Sequence, residues 1–196
     1  MSEAPPEGFR TLVVDGKPVG FVPILGDREA EIEAARQLLS SLGLERPAPT
    51  RVQSMFQQAL AFAQIAADCH AKLNQTPRQG RYAAPFVVNM AFAIELYLKT
   101  LAEAHGSSLH GHDLRKLYDG LPQEAKSALD SAAPESLKIS GLQEVPSIAE
   151  VLTELRSTFV DWRYLYEREN TPEVRIPQAI FVANALHSAC HRTGLV

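Results

Sequence analysis

The sequence predicts a mainly α protein, a helical bundle carrying an N-terminal β-hairpin and one extra helix. Three observations carry that reading. From residue 27 onward, apolar residues recur at spacings of three and four, the period of a helix with one buried face. A β-rich pair of runs occurs once, on either side of Asp15-Gly16. The chain has 196 residues, 45% of them hydrophobic and 21% charged, which is enough to bury a core without disulfides or metals.

Composition also removes several function classes. The net charge of -4 argues against a protein that coats nucleic acid through an overall basic surface, although a local basic groove stays open. Two cysteines, Cys69 and Cys190, are too few for a disulfide framework. The N-terminal MSEAPPEG has no apolar stretch of the kind a secretory signal needs. The most apolar segment, residues 83–98, is interrupted by Asn89 and Glu95 and does not read as membrane-spanning. A cytoplasmic protein with no membrane contact is the expectation. No P-loop, dinucleotide-binding glycine pattern, G-x-S-x-G or C-x-x-C is present.

The elements follow in order. Residues 9–23 form the hairpin, because Asp15-Gly16 suits a turn that needs positive φ. Pro18 and Pro23 keep it at a sheet edge or leave it a lone hairpin; a lone hairpin is marginal in water, so it is expected to pack on helices or on a second chain. Asp27 caps the first helix, with Ile32, Ala35, Leu38, Leu39 and Leu42 as its buried stripe and Gly43 as its stop. ERPAPT, residues 45–50, is the linker. It separates an N-terminal extension, residues 1–45, from the bundle, residues 46–196.

Thr50 caps the second helix, whose buried face is read as Val52, Phe56, Ala59, Leu60, Ala63, Ala66 and Ala67. Residues 72–81 are a polar break. The third helix starts near Pro85 and lines up Phe86, Met90, Ile94, Tyr97, Leu98 and Leu101. A short helix after Asp113 turns Leu114, Leu117 and Leu121 inward, and a further short segment follows Pro122. Residues 134–146 are expected to be loop, with Pro134, Gly141 and Pro146 as breakers. Ser147 caps one long helix to about Arg168, with Ile148, Val151, Leu152, Leu155, Phe159, Trp162 and Tyr166 on its stripe. The last helix runs to His191 with Ile176, Ile180, Ala183 and His187 on one face.

Three segments, NMAFAIELYLKTLAEAHG at 89–106, HGHDLRKLYDGLP at 110–122 and FVDWRYLYER at 159–168, resemble the HEPN superfamily in content, order and spacing. The resembling pattern is a helix with E-L-x-L-K, a G-H-x-L turn, and a later helix carrying an arginine. With flanking helices the resemblance spans about residues 50–196. It implies a small bundle that forms homodimers and a setting in nucleic-acid, toxin–antitoxin or other prokaryotic defence systems. Many members of the family are metal-independent endoribonucleases, using an arginine followed four to six residues later by a histidine. Here Arg163 is followed by YLYERENT, with no histidine. The resemblance therefore implies a non-hydrolytic binding or scaffolding module, whose partner is a protein or RNA. The alternative is an endoribonuclease in which Arg163 works with a histidine from elsewhere, His112 being the candidate. A nucleotide or small-molecule sensor is a further alternative, since bundle cores can host pockets.

The candidate polar site consists of Glu95, Lys99, His112, Asp113, Arg156, Arg163, Tyr164 and Glu167. Glu95 lies on a largely apolar helix, where a carboxylate needs a partner. Lys99 is one turn away, and the resemblance brings Arg163 alongside. Arg156, Arg163 and Glu167 share one face if the long helix is continuous. Interleaved Arg163, Tyr164, Tyr166 and Arg168 suit a dimer interface, a solvated face or stacking on unpaired RNA bases. His110 and His112 invite zinc, but nothing nearby completes a tetrahedron. The bland reading has Asp113 facing a helix start and His112 bonding a backbone group or a buried acid such as Glu95. His187, Cys190 and His191 are metal-capable by spacing, or simply favourable at a helix C-terminus. No metal and no cofactor are expected.

Overall fold

A computed structural model describes residues 4–45, 48–156, 158–163 and 173–196. The protein is mainly helical with a two-stranded N-terminal hairpin. It divides into two compact units, Met1–Ala48 and Pro49–Val196, so the division falls inside the 45–50 segment.

In the first unit, β1 (Phe9–Val14) pairs antiparallel with β2 (Lys17–Pro23), with a bulge at Leu12/Val13. Asp15 and Gly16 both take positive φ, 51° and 75°, as a two-residue hairpin turn with the twist of its strands requires. The hairpin packs through β2 on α1 (Arg28–Ser41). Gly20 permits that approach, because a Cβ there would lie 2.9 Å from Leu38 Cδ2. Asp27 caps α1 by accepting from the Glu29 amide. The expected α1 stripe is only partly buried: Ile32 and Leu42 are 40% and 46% exposed. Two strands are too narrow to cover a four-turn stripe. The buried residue on α1 is instead Glu31, whose carboxylate accepts from the amides of Leu25 and Gly26 and meets Arg10 at 2.8 Å.

The second unit comprises α2 (Arg51–Leu73), a 3-10 turn at Gly80–Tyr82, α3 (Ala83–Ala104), α4 (Leu114–Asp119), α5 (Gln123–Ser140), α6 (Ile148–Leu155), α7 (Thr158–Arg163) and α8 (Ile176–Arg192). A capping box between Thr50 and Gln53 starts α2. The axis of this unit is α3, which packs against α2, α8, α7 and α4. It is therefore buried on most sides, including the whole predicted stripe from Phe86 to Leu101. The 80–104 stretch is long and apolar enough to cross a membrane by length and composition, and 67% of its apolar window is buried within the protein. A helix apolar all round is one that neighbours enclose.

Four expectations are corrected. Residues 134–140 are not loop, because α5 runs through Pro134 to Ser140 and ends at Gly141 with φ 73°. Proline deprives a helix of one amide donor and crowds the carbonyls of the preceding turn. The helix continues because it packs on α8, whose Arg192 donates to the Ser131 carbonyl at 3.0 Å and to Glu135 at 2.9 Å. Buried Leu129, Ala132, Ala133 and Ser136 hold the helix in place. The long helix from Ser147 is also interrupted. Ser147 does cap α6, but α6 ends at Leu155, where the Arg156 amide tightens onto the Thr153 carbonyl, and α7 begins at Thr158. Hydroxyl residues there compete for backbone groups; Thr153 Oγ1 donates to Ala149 O at 2.7 Å and accepts from Arg115. On α2, Leu60 and Ala67 are exposed rather than buried. On α8, the predicted stripe of Ile176, Ile180 and His187 is half-buried, and the core face is Phe181, Val182, Ala185, Leu186 and Ala189.

Candidate functional site

Two groups of polar side chains are built on α3, one charged and one neutral. The charged group centres on Glu95, 3% exposed amid Ile94, Leu96 and Leu98. Its carboxylate accepts from Lys99 Nζ at 2.7 Å, one turn along the same helix. It also meets His112 Nδ1 at 3.0 and 3.1 Å from its two oxygens. The segment that delivers His112 is positioned by its neighbours. Gly111 takes φ 93°, and Asp113 caps α4 by accepting from the Lys116 amide. Leu114 and Leu117 then fix α4 on the core. A carboxylate facing Nδ1 selects the tautomer with the proton on that nitrogen. The His112 side chain is 72% exposed, so the rest of its ring faces solvent.

Of the predicted polar site, the structure brings together Glu95, Lys99 and His112, with Asp113 beside them as a cap. Arg156 is exposed at the end of α6, and the face argued for it with Arg163 and Glu167 lies outside the described residues. The backbone of Arg163 ends α7, and α7 packs on α3. The side chains of Phe159 and Arg163 lie outside the described residues, as do Tyr164, Tyr166, Glu167 and Arg168, and so does the proposed Glu95–Arg163 pair. Trp162 is buried.

The neutral group lines a cleft of about 470 Å³ formed by α2, α3 and α8, with Ile139 of α5. Phe86, Met90 and Tyr97 supply its α3 side, Leu60 and Ala67 its α2 rim. The Tyr97 hydroxyl lies 3.2 Å from His187 Nδ1. His187 also stacks on Phe56 at 5.3 Å and 26°. Burial, with the neighbouring His191, holds the His187 imidazole below its ordinary pKa. Burial raises the Tyr97 phenol well above the usual tyrosine range. Both groups are therefore neutral near pH 7, and the phenol is the natural donor to the imidazole.

The same contacts engage two members of the His187, Cys190 and His191 triplet. The Cys190 thiol is fully buried, faces the Tyr97 carbonyl at 3.4 Å and is pushed up to about 12 by burial. Among the described residues no three His, Cys, Asp or Glu side chains converge as a metal site, at His110 and His112 or elsewhere.

Sequence reasoning placed Tyr97 and His187 on apolar stripes and missed that they meet. A signal existed: a tyrosine and a histidine on two buried stripes each carry a polar tip that must find a partner. Comparisons with family models, curated proteins and solved structures find no match.

Proposed function

We propose that the second unit is a non-hydrolytic, HEPN-like binding or scaffolding module that works as a homodimer beside nucleic-acid or defence systems. One observation supports the reading above others. Two of the three segments that carry the resemblance, those with E-L-x-L-K and G-H-x-L, meet through their own defining residues: Glu95 of the first, already paired with Lys99 one turn on, meets His112 of the second. Their joint presence then has a structural reason, since a buried carboxylate needs both partners, and His112 is engaged in holding α3 to the start of α4.

A second reading has its own support. A histidine oriented through Nδ1 by a buried carboxylate, with its other nitrogen open to solvent, is arranged as general bases are. In that reading His112 serves with Arg163 in a metal-independent endoribonuclease. Incubation of the protein with single-stranded and structured RNA in EDTA separates the two. The module predicts no cleavage above that of the Arg163→Ala and His112→Ala variants. Cleavage by wild type that both substitutions abolish establishes the nuclease instead. Light scattering tests the dimer, and a monomer at every concentration overturns it.

A further inference from the structure

We propose that the cleft between α2, α3 and α8 binds an uncharged, planar aromatic molecule bearing an amide or lactam edge. The inference does not depend on the family reading. The cleft volume, about 470 Å³, falls within the range of small-molecule sites, roughly 300–1,000 Å³. Its lining includes the rings of His70, Phe86, Tyr97 and His187, surfaces that favour a flat aromatic guest.

The polar groups narrow the chemistry. No lysine, arginine, aspartate or glutamate lines the cleft. An ionic ligand would lose hydration there and meet no ammonium, guanidinium or carboxylate. His187 adds no charge near pH 7, because burial and His191 disfavour its protonation. Two carboxamides face the space, Gln64 and Asn184. Gln64 already donates to Asp68 at 3.1 Å, which leaves its carbonyl as an acceptor. Asn184 is half-buried and has no hydrogen-bond partner among the described residues. A carboxamide offers a donor and an acceptor side by side. Its complement is another amide or lactam edge, and that edge would satisfy both halves of Asn184 at once.

Three isosteric probes test the assignment: naphthalene-2-carboxamide, 2-naphthoate and naphthalene-2-carboxamidine, the last two carrying opposite charges at pH 7.5. Affinity is read by titration calorimetry, and location by amide shift changes. The expected result is binding of the carboxamide at least about tenfold tighter than either ion, with shifts confined to the residues of the cleft. Asn184→Leu should erase that preference. Ala67→Trp, at an exposed rim position, should block all three probes while leaving the circular dichroism spectrum unchanged. Equal affinities, a preference for either ion, no binding by any probe, or binding that survives Ala67→Trp would overturn the proposal. So would a dimer that Ala67→Trp dissolves, since a second copy would then be the occupant.

Discussion

Glu95 and Tyr97 stand two residues apart on α3, 3% and 1% exposed, and face opposite sides of the helix. On one side a carboxylate is met by an ammonium and an imidazole. On the other a phenol meets a single imidazole. The contrast shows how the cost of burial sets the number of partners. An ionised group sheltered from water demands opposite charge and filled lone pairs. A hydroxyl demands one hydrogen bond. The charged side is consequently crowded and self-satisfied, while the neutral side retains open volume and a carboxamide, Asn184, without a partner among the described residues.

The largest effect should come from breaking the charged side. Lys99→Met leaves the Glu95 carboxylate buried with His112 alone and should cost about 3 kcal/mol of stability in urea unfolding. Glu95→Leu combined with Lys99→Met removes the burial penalty with the pair and should recover most of that loss. A double variant as unstable as the single one would show that packing, not charge, sets the cost. On the neutral side, Tyr97→Phe deletes one donor and should cost only about 1 kcal/mol.

The smallest effect is titration of His187. Its folded-state pKa lies below the ordinary histidine value, about 6.5, so the unfolded chain binds the proton more readily. Stability contributed by the neutral ring is complete above that value and is lost as pH falls through the lower, folded value. Melting temperatures measured from pH 7.5 to 5 should fall more for wild type than for His187→Gln. Parallel profiles would assign the pH dependence elsewhere.

Much of this contrast could be read from the sequence on the charged side, and little on the neutral side. Glu95 and Lys99 are a turn apart, so local geometry alone pairs them. His112 was within reach because a buried acid needs a further partner and the G-H-x-L turn offers one. The α3 stripe and the caps at Asp27, Thr50 and Ser147 are likewise local and appear as expected. The cleft depends on how three helices are placed, which no single periodicity encodes. Leu60 and Ala67 obey the helical period yet line open space. Pro134 was misread for the same reason: its helix is held by burial against α8, with the Arg192 guanidinium bound on the outside. The break at Arg156 ran the other way, since an unbroken apolar stripe concealed a change of backbone bonding.

That guanidinium has a consequence for how the chain is made. Arg192 emerges from the ribosome 61 residues after the carbonyl it serves. Throughout that interval the stretch around the proline lacks the helix it packs on. A nascent chain stalled short of α8 should therefore be cut by protease near residues 131–135, whereas the released protein resists.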